Sequence, residues 1–224
     1  IQPIMTTIMF MFVFEGIAGI STDGVPQAVF YLAGLVCWNY FADCLTKCSD
    51  TFNANQQIFG KVYFPRLIVP FSIVISNMVK MGIQLVLFLV VYAYYFIVLG
   101  TFEINWTIVL FPVLLLMLAS LGLGFGLVIS SLTTKYRDLR FLITFGVQLW
   151  MYATPVIYPL SFAPENYRIF LNVNPLTPIF EAFKYAFLGA GTFDVLSLGY
   201  SLVTLCIVMF FAVILFNRTE QRFM

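Results

Sequence analysis

Residues Asn105–Thr133 read NWTIVLFPVLLLMLASLGLGFGLVISSLT, an apolar run that contains no charged side chain. A helix needs roughly 20 apolar residues to cross a bilayer core about 30 Å thick, so this stretch is long enough for one crossing. It has companions on both sides. Gln27–Cys48 is interrupted only by Asp43 and Lys47 near its end, Leu67–Leu99 carries Lys80, and Val195–Asn217 is stopped by Arg218, Glu220 and Arg222. Leu67–Leu99 is longer than one crossing requires and reads as a tilted helix whose first turns lie in the interface. Ile1–Phe14 is apolar but short and begins without Met. It reads as the remainder of a first membrane helix whose upstream part is missing.

Composition agrees with this reading. Of the 224 residues 62% are hydrophobic and 9% charged, with a mean hydropathy of +0.98. Soluble domains run about 45–50% apolar and about 25% charged, so an ordinary water-soluble enzyme is excluded. Eleven Lys and Arg against ten Asp and Glu leave a net charge of +1, which gives no field for nucleic acid. The chain has no His, which removes histidine general bases, Ser-His triads and most transition-metal sites. The cysteines at 37, 44, 48 and 206 lie inside apolar runs and have neither a disulfide framework nor a zinc spacing. They are expected to act as small hydrophobes. Gly122, Gly124 and Gly126 superficially suggest a phosphate loop, but no strand precedes them. With Ala119 and Ser130, Gly122 and Gly126 recur at helical spacing, the pattern of close helix packing.

Phe141–Thr154 supplies only about two-thirds of a crossing, and Pro155, Pro159, Pro164, Pro175 and Pro178 punctuate the segment between it and Asp194. Non-helical backbone at membrane depth must be buried in protein or face water. The stretch therefore reads as a fifth span continuing into re-entrant or interfacial helices, near Pro164–Leu171 and Pro178–Leu188. The expected fold is all-α, a single transmembrane domain over 1–224. Its six spans fall at about 1–14 (truncated), 27–48, 67–99, 105–133, 141–154 and 195–217, with a cytoplasmic loop at 49–66 and an outward gate region at 155–194.

Charge sets the orientation. Lys47–Arg66, Lys135–Arg140 and Arg218–Arg222 hold eight of the eleven basic residues: Lys47, Lys61, Arg66, Lys135, Arg137, Arg140, Arg218 and Arg222. The alternate loops hold Glu15, Asp23, Glu103, Glu165 and Asp194, with only Arg168 and Lys184 as bases. By the positive-inside rule both termini are cytoplasmic and the Pro-rich segment faces outward.

Ionisable groups within spans usually mark ion or proton pathways. Asp43 and Lys80 form the one plausible intramembrane pair, with Glu181 and Lys184 on the outward segment. For Asp43 and Lys80 the expectation is an interhelical salt bridge, or a lysine snorkelling to the surface, rather than a relay. Phe141, Phe145, Gln148 and Tyr152 fall on one helix face. Such a face, with rings, an amide and a phenol but no charge, suits a sliding carbohydrate chain. It equally suits a helix–helix contact, and periodicity leaves both open. The loop Ser49–Arg66, SDTFNANQQIFGKVYFPR, suits a short interfacial helix with Asn53 or Asn55 as cap, serving as a plain connection or as a docking element for a cytoplasmic partner.

Five segments carry a family resemblance in a consistent order: Gly19–Pro26 (GISTDGVP), Asn53–Arg66 (NANQQIFGKVYFPR), Lys135–Arg140 (KYRDLR), Gln148–Pro159 (QLWMYATPVIYP) and Asn174–Gly189 (NPLTPIFEAFKYAFLG). Together they span nearly the whole chain, which resembles the permease subunit of type-2 ABC exporters for polysaccharides, the O-antigen and lipopolysaccharide branch. The resemblance implies a homodimeric channel in the bacterial inner membrane with two cytoplasmic ATPase subunits beneath it. ATP and Mg are implied in the partner and no cofactor in this chain. The cargo implied is a lipid-linked glycan. The loop after the second span then resembles the coupling helix, placing Asn53, Asn55, Gln56, Gln57 and Phe59 against the ATPase. Tyr136, Arg137, Asp138 and Arg140 fall at the cytoplasmic mouth, and the Pro-punctuated segment resembles outward gate helices. The first and fifth spans of such permeases line the path. That favours a lumen-facing Phe141–Tyr152 stripe and adds Gln2, Met5, Met9 and Phe12. Lys80, and Gln56 with Gln57, depart from the residues more usual in the family.

No catalytic residues are assigned, and the Walker-type lysine loop is absent. Other cargoes (teichoic acid, capsule, a lipid or drug) fit the same architecture. A membrane-embedded glycosyltransferase is a rival that needs Glu165, Arg168, Glu181 or Lys184. An ion-coupled transporter is another, poorly supplied with carboxylates.

Overall fold

The computed structural model describes residues 2–17, 22, 24–55, 65–100, 105–134 and 139–221. These fold into helices and turns with no strand among the described residues. In hydrocarbon every backbone N–H and C=O needs an internal partner, and a helix supplies one within its own segment. Helix α1 (Gln2–Phe10) runs on through a π-helical stretch, Met11–Ile17. Then come α2 (Gln27–Ser49), the short α3 (Thr51–Ala54) and α4 (Ile68–Leu99). A 3-10 turn at Trp106–Leu110 leads into α5 (Phe111–Thr133), followed by α6 (Leu139–Tyr152). After a 3-10 turn at Leu160–Phe162 the chain forms α7 (Glu165–Val173), α8 (Thr177–Leu188) and α9 (Val195–Gln221).

Among the described residues four helices are long and apolar enough to cross a membrane: Gln27–Ser49, Ile68–Val98, Trp106–Thr133 and Val195–Thr219. They coincide with the second, third, fourth and last expected spans. Pro3–Phe14 and Phe141–Tyr152 are shorter apolar helices. The first helical segment outlasts the expected limit at Phe14, because its turns widen to π form and carry on past Glu15 to Ile17. Helix α6 stops at Tyr152 rather than Thr154, since a residue before proline is pushed out of the helical region and Pro155 follows Thr154. Gly100 and Gly189 end α4 and α8 with φ of 62° and 68°, the left-handed closure that glycine adopts without steric cost.

The core centres on α2, whose Phe30, Tyr31, Tyr40 and Phe41 are fully buried, while α4 and α9 turn Ile83, Ile97, Leu196 and Phe210 outward. Lipid gives no hydrophobic push between helices, so their association rests on close packing and interhelical hydrogen bonds. Both are present. A Cβ on Gly122 would stand 2.9 Å from Cys44 Cβ, and one on Gly126 would stand 2.5 Å from Cys48 Cβ. The small-residue face of α5 thus lies directly on α2, as its spacing predicts. Cys37, Cys44 and Cys48 are buried as expected, but Cys206 is exposed on α9.

Between α2 and α4 runs a polar seam. Asn39 Nδ2 donates to Gln84 Oε1 at 3.3 Å, Lys80 Nζ meets Asp43 Oδ2 at 2.5 Å, and Lys47 Nζ donates to Asn77 Oδ1 at 2.6 Å. Residues 39, 43 and 47 are one helical turn apart, and 84, 80 and 77 answer them along the antiparallel neighbour. The expected salt bridge is present, and it is one rung among several, Asn77 Nδ2 also reaching Cys44 Sγ at 3.7 Å.

Candidate functional site

Helix α6 is seated by its back face. Val147 and Met151 are buried, and Trp150 meets Phe41 of α2 and Phe125 of α5 edge-to-face at centroid distances of 5.4 and 5.2 Å. These anchors fix the rotation of the helix and turn the opposite stripe outward. Phe141 is 79% exposed and Tyr152 51%, with Phe145 and Gln148 exposed between them. The four residues singled out by periodicity therefore share one open face with no charge on it. On α1, Met5 and Met9 are likewise exposed, as is Phe12 in the π-helical stretch that follows, while Phe10 packs edge-on against Tyr31 at 6.4 Å. Gln2 begins α1, but its side chain lies outside the described residues. Both helices rest on α2.

Beyond Tyr152 the helix breaks, and its freed carbonyls need donors. Tyr158 Oη donates to the Tyr152 carbonyl at 3.0 Å. Asn174 Nδ2 reaches the Ala153 carbonyl at 3.0 Å and Thr154 Oγ1 at 2.8 Å. Lys184 Nζ donates to the Pro155 carbonyl at 2.5 Å and to that of Tyr158 at 3.4 Å, and lies 4.1 Å from the centroid of the Phe30 ring. The charge-balance reading leaves Lys184 as a base of the outward loops, whereas it is 1% exposed. The turn also presses on α2, since a Cβ on Gly34 would stand within van der Waals overlap of the Val156 carbonyl. That contact is possible only for glycine.

Of the four residues a glycosyltransferase would need, Arg168, Glu181 and Lys184 make structural hydrogen bonds. Arg168 donates to the carbonyls of Ala163 and Ser161 at 2.8 Å each. Buried Glu181 accepts from the Thr192 N–H at 3.2 Å, and Glu165 is exposed in the first turn of α7. Ser161, Arg168, Glu181 and Thr192 border a cleft of about 330 Å³. Asp194 caps α9, accepting from the N–H groups of Leu196 and Ser197 at 3.2 and 3.1 Å. The Ser197 hydroxyl and these two amides hold its carboxyl below the usual range. Among the described residues no group of three His, Cys, Asp or Glu side chains is placed to hold a metal.

On the other side of the bundle, α3 follows α2 after a single residue. Its Phe52 is buried and stacks on Phe216 of α9 at 4.6 Å, an anchor the sequence reading did not single out although it is the one aromatic in TFNA. Asn53 lies within α3, its side chain outside the described residues. Asn55 follows the helix end and donates Nδ2 to the Thr51 carbonyl at 2.9 Å. Gln56, Gln57 and Phe59 lie outside the described residues, as do Tyr136, Arg137 and Asp138, and Arg140 is described only by its place in the first turn of α6.

Comparison with known proteins gives the family. Residues 1–188 match the family model described as ABC-2 type transporter. The chain is 26% identical over 225 residues to the O-antigen export system permease protein RfbA of Klebsiella pneumoniae, covering 99% of this chain and 83% of that protein. It is 26% identical over 190 residues to a protein of the same name from Myxococcus xanthus, covering 84% and 70%. The helical bundle, its apolar spans and the full-length likeness agree, and the chain belongs to the ABC-2 type transporter family.

Proposed function

We propose that the chain is the channel-forming permease subunit of an ATP-driven exporter that moves a polysaccharide, O-antigen or a lipid-linked glycan, across the cytoplasmic membrane. The single observation that carries this reading is the uncharged aromatic face Phe141–Phe145–Gln148–Tyr152, exposed on a helix anchored from behind, in a chain whose full-length relatives are named O-antigen export permeases. Flat rings stack on the apolar faces of sugars while the amide and phenol tips exchange hydrogen bonds with hydroxyls. Without fixed charges, no position holds the chain strongly enough to stop it.

In this reading two copies form the path, with α1 and α6 lining it through Met5, Met9 and Phe12 beside the α6 stripe. Helices α1 and α6 complete six crossings, both termini are cytoplasmic, and α7 and α8 form the outward gate. Two cytoplasmic ATPase subunits dock on the loop that begins with α3, through Asn53, Asn55, Gln56, Gln57 and Phe59, near the mouth formed by Tyr136, Arg137, Asp138 and Arg140. Nucleotide shifts the channel between two conformations by binding one more tightly than the other, and the ATP and Mg sit in the partner.

The test is complementation. A strain lacking its own O-antigen permease should regain surface glycan when supplied with this chain and its ATPase, and Tyr152→Ala or Phe145→Ala should reduce that glycan while leaving complex assembly intact. The purified chain alone should hydrolyse no ATP. Vesicles that pump glycan on a proton or sodium gradient, with no ATPase present, would contradict the proposal. Restoration of teichoic acid or capsule export in place of O-antigen would keep the architecture and change the cargo.

A further inference from the structure

Lys184 belongs to neither the exposed stripe nor the docking loop, yet it is a buried cation in the middle of α8. Removing an ammonium group from water is costly, and such a group persists only where several partners receive it. Its partners include the carbonyls of Pro155 and Tyr158 in the broken end of α6, and the Phe30 ring of α2. Asn174, at the turn before α8, takes the neighbouring carbonyl of Ala153 and the Thr154 hydroxyl. Helical backbone satisfies itself within a segment, but this irregular turn does not, and at membrane depth each open carbonyl needs a donor from elsewhere. Lysine brings three donors on a flexible stem, enough to serve two carbonyls and still face a ring.

The two segments joined in this way are Gln148–Pro159 and Asn174–Gly189. The first carries Gln148 and Tyr152, the outward end of the exposed stripe. The Tyr152 carbonyl is itself tied to Tyr158, whose own carbonyl is held by Lys184. A continuous set of hydrogen bonds therefore runs from the α8 lysine to the last residue of the stripe.

We propose that Lys184 and Asn174 are positioning residues, forming a latch that holds the broken end of α6 in the conformation the substrate path requires. The statement that this conformation serves a path rests on the function proposed above, whereas the latch itself does not. Lysine and asparagine act here through the backbone they hold and touch no cargo.

The experiment uses the detergent-solubilised full chain with Cys206→Ser, which removes the exposed native cysteine, and Val156→Cys as reporter in the latched turn, where Val156 is fully buried. Maleimide labelling is read in this background and with Lys184→Met or Asn174→Ala added. The reporter should be protected in the parent and should label at least tenfold faster in each variant, while buried Cys37, Cys44 and Cys48 stay protected. The same two substitutions in the otherwise natural chain, with its ATPase, should cut surface glycan at least tenfold without loss of the complex. A reporter that stays protected in both variants overturns the latch. Labelling of Cys37, Cys44 and Cys48 in both variants would mean the two residues hold the whole bundle, which overturns a local role. A labelled reporter with undiminished export overturns the positioning role. A parent chain that exports no glycan contradicts the proposed function, and the labelling result still decides the latch.

Discussion

The contact between α5 and α2 sets a quantitative expectation for Gly126→Ala. The new Cβ would lie 2.5 Å from Cys48 Cβ and 3.0 Å from the Leu45 carbonyl oxygen, whereas carbons rest about 3.5–4.0 Å apart. Both neighbours are part of, or next to, the α2 backbone, so no side-chain tip can swing away. The helices must separate locally by about 1 Å, and a radial gap of that size forfeits roughly a quarter to a half of each dispersion well along the seam. Overpacking of this kind typically costs about 1–3 kcal/mol, and we expect a loss in that range. Gly122→Ala, with its nearest neighbour at 2.9 Å, should follow in the same direction with a smaller effect. Gly82→Ala and Gly199→Ala are the controls. Both glycines lie in helices with nothing within 4 Å of a new Cβ, and alanine there should be neutral or stabilising by up to about 0.5–1 kcal/mol. The assay is unfolding by SDS titration from mild-detergent micelles, followed by tryptophan fluorescence and far-UV circular dichroism. A Gly126→Ala midpoint equal to that of the parent, or an equal loss in Gly82→Ala, would refute the close-contact argument.

Three further outcomes are expected. Lys80 and Asp43 are 48% and 28% exposed, so a double-mutant cycle with Lys80→Met and Asp43→Asn should give a coupling of no more than about 1 kcal/mol, and one above about 3 would mean a far drier pair. Phe52→Ala removes the stacked partner of Phe216 and should destabilise the chain within the roughly 3–5 kcal/mol seen for buried Phe→Ala changes, read in the same titration; an unchanged midpoint would detach α3 from the fold's energetics. The Asp194 carboxyl is held low by Ser197 and the Leu196 amide, so its contribution to the start of α9 is fully present above the unfolded carboxylate value of about 3.9. It fades as pH falls through the lower native value. Hydrogen exchange at the Leu196 and Ser197 amides, corrected for intrinsic rates, should accelerate on acidification in the parent but not in Asp194→Ala.

Much of the fold was readable in advance because hydrocarbon allows so few backbone solutions. Long apolar runs with few charges located Gln27–Ser49, Ile68–Val98, Trp106–Thr133 and Val195–Thr219, and proline spacing located the short helices α7 and α8 to within about two residues. The spacing of Gly122 and Gly126 was legible for the same reason, since small residues one turn apart have few other uses in a span. The π-helical turns at Met11–Ile17 left no signal, because apolar side chains fit either helical form. The polar seam was half visible: Asp43 and Lys80 stood out by charge, whereas Asn39, Gln84 and Asn77 are uncharged and their pairing depends on the register of two helices. The burial of Lys184 was not legible, because charge counting assigns a base to one side of the membrane and does not register a cation that neighbouring carbonyls solvate in the interior. The exposed α6 stripe was visible as a periodicity, and the anchor that decides which way it faces, Trp150 against Phe41 and Phe125, involves contacts far apart in sequence.

The rungs at Asn39, Asp43 and Lys47 that join α2 to α4 have a mechanical consequence. They sit at successive turns, so a screw-like slip of one helix past the other would sever all of them together, whereas a tilt of the pair as a unit severs none. Between Asn39 and Lys47 on one helix and Asn77 and Gln84 on the other, the pair is keyed like a shaft and turns as one body.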